Sequence, residues 1–331
     1  MKIIPMTKKH IPEVIEVLKE AFNDSSIKRR GVSRERRRTT EGIIPYIENE
    51  PEGCLVALEK KKVVGAIFGH VWGKIGWIGT FGVDPSYQGK GVGKELMIKI
   101  IEFLDKKKNV TCLGLETMPD SSFNIGLYSK LGFKPAFQTI SLIRPIIDSQ
   151  RKNEEFTRFA QENNLEISYF SQEENKDDAY TRCKWLAEKI ENGLDHSLEI
   201  KIANEYKYGE TIFVKHEGFI EAYAICRIIE RYEEAAPNQS LTVKIILANK
   251  DIKEPKLLEY LLLACEKFGL ENNKTEIRLS INSSYWLTYQ HLINNGFRVR
   301  SALLRMVKYS EDIKAYDHQH EWLVNCASFT M

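Results

Sequence analysis

The residues best spaced for chemistry run from Val83 to Lys94, in the order Val-Asp-Pro-Ser-Tyr-Gln-Gly-Lys-Gly-Val-Gly-Lys. An apolar strand pattern ends at Val83, and a helical pattern follows through Val92, Leu96, Met97, Ile100, Ile101 and Leu104. Gly89, Gly91 and Gly93 let the backbone approach a ligand closely. The amides that open a helix have no partner inside it, and the helix dipole adds positive potential there. Such a turn suits a pyrophosphate, with Lys90 and Lys94 able to add charge. The loop is not a Walker loop, because no Ser or Thr follows Gly-Lys in the required frame. Nor does it open an early βαβ unit, as a dinucleotide loop would: its glycines follow a run of strand-like segments. The bland alternative is a turn whose glycines only pack.

Two other groups could do chemistry. Residues 28–38 read Lys-Arg-Arg-Gly-Val-Ser-Arg-Glu-Arg-Arg-Arg, seven of eleven basic. Paired guanidinium bonds could hold a carboxylate or phosphate there, and a solvated loop is the other reading. Nucleic acid is disfavoured: the run lacks aromatic interleaving and the net charge is only +2. His318 and His320 could share one strand face and hold a metal, but no cysteine or third histidine has supporting spacing, so no metal is assigned.

The elements that must position the glycine loop follow from periodicity. Lys2 to Met6 reads as a strand, and Thr7 as the N-cap of a helix over residues 8–23. Ile43 to Glu48 reads as a second helix. Strands over residues 53–59, 62–71 and 74–83 form a meander, the first two joined by a charged turn. After the loop and its helix come a strand from Asn109 to Thr117, a helix from Phe123 to Lys130 ended by Gly132, and a strand from Phe133 to Arg144. This mixed α/β order fits one domain of about 145 residues, closed near Pro145. With 331 residues, a second domain is expected. Residues 148–164 link the halves or begin a helix. Beyond them the pattern predicts a helix over 180–190, strands over 198–203, 210–215, 219–229 and 241–248, and a helix over 255–268. A strand over 275–281, a helix over 284–295 and a strand over 297–307 complete it. The order from residue 210 onward repeats the order from 53 to 144.

None of the six cysteines forms a CxxC pair, and several lie in apolar runs, as in Leu261-Leu262-Leu263-Ala264-Cys265. They read as buried thiols in a reducing compartment. The N-terminal stretch has no apolar signal-peptide core, and no run approaches a membrane span. The expected location is cytoplasmic.

On the segment Gln88-Gly89-Lys90-Gly91-Val92-Gly93, with its Val-Asp-Pro strand exit, the chain resembles the GCN5-related N-acetyltransferase (GNAT) superfamily. The segment Leu127-Tyr128-Ser129-Lys130-Leu131-Gly132-Phe133 resembles the family's closing LYxKxGF element, and the resemblance covers about residues 1–145. It implies a splayed mixed sheet flanked by helices that binds acetyl-CoA and transfers the acetyl group to a primary amine by direct attack. By resemblance, backbone around Phe81, Gly82 and Val83 lines the pantetheine arm, and an amide near Val83 holds the thioester carbonyl. Tyr128 matches the family's general acid beside the sulfur. Glu116, at the end of its strand, is the candidate base, with a structural carboxylate as alternative; Asp84 could be a base or a cap. Where the family often carries Asn and Ala, this chain has Ser121 and Asn124, which could still contact the cofactor. The basic run borders the family's acceptor cleft and favours an anionic small-molecule or peptide amine.

Residues Trp286 to Phe297 look like a degraded copy of the closing element, with Leu292 in place of Tyr128. Residues 248–254 contain no glycine. The sequence therefore predicts a tandem protein: an acetyl-CoA-binding domain over 1–147, and a degenerate GNAT-like domain over 148–331 that walls the acceptor cleft or mediates assembly, a homodimer being open. The reading from another class is a non-catalytic acyl-CoA-binding sensor or assembly protein. The preferred acyl length is open.

Overall fold

A computed structural model describes residues 1–34, 37–107, 110–147, 150–229, 239–249, 255–309 and 325–327. The histidine pair at 318 and 320 and most of the glycine-free segment, residues 250–254, lie outside them.

Strand β1 (Lys2–Pro5) pairs antiparallel with β2 (Cys54–Glu59), which continues into β3 (Lys62–Trp72) and β4 (Ile75–Val83). The β2–β3 turn places Lys60 and Lys61 at φ 48° and 73°, the left-handed geometry that tight hairpins require. Helix α1 (Ile11–Arg30) buries Val14, Val17, Leu18 and Ala21. It runs a further two turns beyond the predicted 8–23, so the first basic residues of the 28–38 run are helical. Gly31 at φ 67° stops it, returning its amide to the Ile27 carbonyl. Helix α2 (Ile44–Asn49) packs Tyr46 and Ile47 inward. The first half closes with α3 (Val92–Glu102), β5 (Cys112–Thr117), α4 (Ser122–Lys130) and β6 (Lys134–Pro145).

The second half contains α5 (Gln150–Glu162), β7 (Leu165–Tyr169), α6 (Lys176–Ile190), α7 (Ser197–Glu205), β8 (Gly209–His216), β9 (Phe219–Arg227) and β10 (Ser240–Ala248). Then come α8 (Pro255–Glu271), β11 (Glu276–Asn282), α9 (Trp286–Asn294), β12 (Arg298–Tyr309) and β13 (Asn325–Ala327). One prediction fails: residues 198–203 are helical. Apolar residues at 198, 200 and 202 mimic a strand, but Asp195 caps the Ser197 amide at 2.9 Å, and the helix is buried between the halves. Burial on several sides erases the amphipathic signature. Strands β7 and β13 have no counterpart in the periodicity.

All described strands join one sheet, in the order β1-β2-β3-β4-β5-β12-β6-β11-β10-β9-β8-β7, with β13 on β10. The halves exchange their last long strands. β12, from the second half, lies between β5 and β6, while β6 pairs on its other side with β11. A cut at residue 147 would leave the sheet crossing the boundary.

The internal repeat is visible in backbone detail. The Phe133 amide donates to the Tyr128 carbonyl at 3.1 Å, and the Phe297 amide to the Leu292 carbonyl at 3.1 Å. The intervening glycines, Gly132 and Gly296, sit at φ 89° and 87°. β4 bulges at Thr80, between Gly79 and Phe81, and β10 bulges at Lys244, between Val243 and Ile245. After each strand the next amide returns to the preceding one: Asp84 to Val64 at 3.0 Å, and Asn249 to Glu221 at 2.8 Å.

Candidate active site

β4 and β5 run parallel and paired only from Ile75–Cys112 to Ile78–Leu115. β4 then continues to Val83 and β5 to Thr117, so the strands part and leave a split. Phe81, Gly82 and Val83 lie on the β4 side of it, still paired with β3 on the other side. The parting coincides with the Thr80 bulge, where a threonine takes φ 44°. A bulge redirects a strand and increases its twist.

The glycine loop stands at the open end of the split. Asp84 accepts from the Ser86 amide at 2.9 Å and the Ser86 hydroxyl at 2.6 Å, and pairs with Lys62 at 3.4 Å. Burial opposes its ionisation, but these bonds outweigh that and hold its carboxyl below the ordinary value. Asp84 is thus the loop's cap, as one of its two predicted roles had it. Gln88 donates to the Val83 carbonyl at 3.3 Å and accepts from Lys28 at 3.2 Å. Gly89 and Gly91 take φ 76° and 85°, and a side chain on either would enter open space. Gly93 is tight instead: a Cβ there would come within 3.0 Å of the Phe81 ring. The amides of residues 89–94 make no hydrogen bond among the described residues, while the Glu95 amide already returns to the Gly91 carbonyl. Val92 is buried beneath them, Lys94 is exposed, and Lys90 lies 4.7 Å over the Tyr87 ring. Consecutive unpaired amides at a helix start, in glycine backbone open to solvent, fit a pyrophosphate.

Tyr128 and Glu116 flank the split from opposite faces of the sheet. Tyr128 on α4 packs with Leu96, Leu115 and Phe133, its ring edge-on to Phe133 at 6.4 Å. Its hydroxyl makes no hydrogen bond among the described residues, and burial pushes the phenol well above its usual pKa. Along β5, Leu113 and Leu115 face that α3–α4 layer, so Glu116 faces the other way. Glu116 is almost wholly buried. Its Oε1 accepts from Thr139 of β6 and from Arg305 of β12, the latter at 3.2 Å. Arg305 also donates to Thr139 at 2.9 Å and lies 5.1 Å over the Trp77 ring. Oε2 of Glu116 is buried without a hydrogen-bond partner.

Ser121 and Asn124, the two departures from the family pattern, stand at the start of α4. Ser121 is buried at the N-cap position, its carbonyl accepting from Ile125 at 3.0 Å, and Asn124 donates to Thr117 at 3.4 Å.

The basic run is largely committed within the chain. Arg29 and Arg30 both bind Asp120, at 2.5 and 3.1 Å; burial opposes ionisation of its carboxyl, but the two guanidiniums together outweigh it and hold the group below its ordinary value. Lys28 pairs with Asp24 at 2.7 Å, and Arg37 with Glu16 at 2.9 Å. Arg38 is fully buried and donates to the Thr80 hydroxyl at 2.8 Å. Residues 28–30 belong to α1, residues 31–34 and 37 are exposed outside any helix or strand, and Arg29, Arg30 and Arg38 tie the run to both rims of the split. Arg38, Thr80, Asp120, Thr139 and Arg305 escaped sequence reasoning because each meets its partner across long separations. Of these, Arg38 alone lay within a segment singled out by charge.

The fold and site together define a two-half molecule whose first half carries parted strands and a glycine loop with unpaired amides. Residues 13–133 match the model of the Acetyltransferase (GNAT) family. Its members are in general acyl-CoA-dependent N-acetyltransferases. Among solved structures, a provisionally named acetyltransferase of Pyrococcus horikoshii matches with a TM-score of 0.66 at 18% identity, covering 99% of this chain and 94% of that one. A GCN5-related N-acetyltransferase of Sphaerobacter thermophilus gives 0.60 at 10% identity, covering 93% and 95%. A tandem GNAT protein from the clavulanic acid biosynthesis pathway gives 0.56 at 10% identity, covering 93% and 98%. These likenesses show the fold over both halves. No curated protein sequence matches the chain. No described helix is long and apolar enough to cross a membrane, and no described cluster of His, Cys, Asp and Glu could hold a metal.

Proposed function

We propose that this protein is an N-acetyltransferase that moves an acetyl group from acetyl-CoA to a primary amine of a small molecule or peptide. The observation that carries the reading is the coincidence of the parted strands β4 and β5 with six unpaired amides over residues 89–94. An extended arm fits the split, and its pyrophosphate fits the amides. Acetyl-CoA would supply an activated thioester. Phe81, Gly82 and Val83 would line the arm, and a β4 amide there would hold the carbonyl oxygen as negative charge develops on it.

Glu116 would take one proton from the acceptor ammonium through Oε2, leaving a neutral amine able to attack. The amide product gives up a second proton from the same nitrogen, and the departing thiolate gains one. Tyr128 would donate a hydrogen bond to that sulfur. Its raised pKa keeps it protonated and able to donate but makes it a reluctant acid, since a thiol titrates at about 8.5. Full transfer from the phenol would be uphill, so the thiolate's final proton comes from water or the acceptor.

An anionic acceptor remains part of the proposal, with Arg38 beside the Thr80 bulge as its best-placed cation. The second half, through β12, would wall the acceptor side together with β6 of the first half. Titration of the protein with acetyl-CoA by calorimetry, followed by a screen of amines, tests the reading. Micromolar binding with turnover of at least one amine is expected. Binding without turnover of any amine would favour a non-catalytic acyl-CoA sensor, and no binding by folded protein would remove both.

A further inference from the structure

We infer that Arg305, delivered by the second half on the exchanged strand β12, is a positioning residue for Glu116, so that the active site of the first half is completed by the second. This rests on the acetyltransferase reading above and extends it.

Glu116 ends β5 where the strands part. A carboxylate there with nothing to orient it would swing among rotamers or pair at random. Instead, Arg305 and Thr139 both engage Oε1. Arg305 is itself fixed, by a 2.9 Å bond to Thr139 and by the Trp77 face below it. The Trp77 ring in turn fills the space over Gly114, where a Cβ would overlap it at 1.9 Å. Each member is therefore packed in place before any substrate arrives.

The second oxygen carries the argument. Oε2 is buried and has no hydrogen-bond partner, although Oε1 has two. A buried carboxylate oxygen without a donor is costly, and a donor that reaches it gains accordingly. An acceptor ammonium at the split would supply the missing donor. Arg305 thus acts through Glu116: it takes one oxygen, fixes the carboxylate plane, and leaves the other for the acceptor. The bond joins residues 189 positions apart, so only the strand exchange makes it.

A double-mutant cycle in the full chain tests this, reading kcat, acceptor KM and acetyl-CoA Kd for Glu116→Gln, Arg305→Met and the double variant. Arg305→Met should lower kcat by about tenfold or more while acetyl-CoA Kd changes by less than about threefold, and Arg305→Lys should recover part of the loss. In the Glu116→Gln background, Arg305→Met should cost less than about threefold in kcat, because its target is already gone. Arg305→Met alone leaves a buried unpaired carboxylate and could fail to fold; the Arg305→Lys substitution in both backgrounds then decides the same question. Losses that multiply in the double variant would make Arg305 merely structural and overturn the inference. So would an unchanged kcat in Glu116→Gln, which leaves the acetyltransferase reading intact. Wild-type protein that binds acetyl-CoA but acetylates no amine would remove both.

Discussion

The two halves build the same split and treat it in opposite ways. In the first, β4 and β5 part after Ile78 and Leu115, and no described strand takes up the β4 edge beyond. In the second, β10 and β11 part after Thr242 and Arg278, and β13 then pairs antiparallel with β10 at Ile245, Ile246 and Leu247. An extended segment of the protein's own chain lies where the first half would hold a cofactor arm. The bulge residues differ in the same sense. Thr80 presents a small hydroxyl, whereas Lys244 sends a buried ammonium to Glu199 at 2.8 Å and to the Tyr46 hydroxyl at 3.0 Å. Arg227 joins them, 2.6 Å from Glu199. Burial would raise the Glu199 carboxyl, but the two cations outweigh it and hold the group far below its usual value. Leu292 replaces Tyr128. The comparison teaches that the fold supplies a slot, and that a few side chains and one strand decide whether it stays open.

The largest effect is expected from breaking the exchange. Residues 1–147 produced alone lack β12 between β5 and β6, and should show no cooperative thermal transition by circular dichroism. Mixing with residues 148–331 should restore one. A sharp transition in the isolated half would show the halves to be independent.

Next comes the loop that the second half lacks. Gly91→Trp puts a bulky side chain over the amides at a φ of 85°, where a non-glycine residue costs about 1–2 kcal/mol. Acetyl-CoA affinity measured by calorimetry should fall by at least about a hundredfold, as expected when several charge-assisted bonds of roughly 1.5–3 kcal/mol each are lost. Asn249→Ala, at the strand exit of the second half that matches Asp84, should leave it unchanged.

A smaller change comes from the closing helices. If Tyr128 donates to the departing sulfur as proposed, Tyr128→Phe loses one hydrogen bond to a charged group, worth about 1.5–3 kcal/mol, and kcat should fall about 10- to 100-fold with acetyl-CoA Kd preserved. The converse, Leu292→Tyr, should add no activity and lower stability by about 1–3 kcal/mol through overpacking in a denaturant melt.

The last effect is on pH and touches stability alone. His196 is buried at the junction of the halves, bonded through Nδ1 to the Tyr223 hydroxyl at 2.7 Å. Burial lowers its imidazole from 6.5 to about 4, against the raising influence of Glu199 and Asp195 and with a further push from Lys244. Because the folded value is the lower one, its contribution is complete above about pH 6.5 and is lost as pH falls towards 4. Melting temperature should decline through that window by an amount matching roughly 3 kcal/mol, and His196→Gln should flatten the decline. An equal decline in the variant would place the acid sensitivity elsewhere.

Much of the first half was legible because its signals are local. The hairpin turn, the loop glycines and the α3 stripe each declare themselves within a dozen residues. The 198–203 segment misled because its apolar spacing suits a strand and its helix is buried. Glu116 was legible as a carboxylate at a strand end, but the sequence could not separate a base from an anchor. Its geometry shows one oxygen anchored and one without a hydrogen-bond partner. The basic run was legible as charge, yet its pairing with Asp120, Glu16 and Thr80 was not.

The sequence by itself determined that a strand would end at Val83, that glycine backbone would turn there, and that a helix would begin with its amides exposed. Backbone sterics and hydrogen-bond geometry fix those outcomes within a few residues. Only the tertiary structure decided that β12 would lie beside β5 and bring Arg305 to Glu116, and that β13 would enter the second split. A strand's alternation of inward and outward residues is the same whichever neighbour it pairs with, so the choice of neighbour, and every contact that follows from it, belongs to the folded whole.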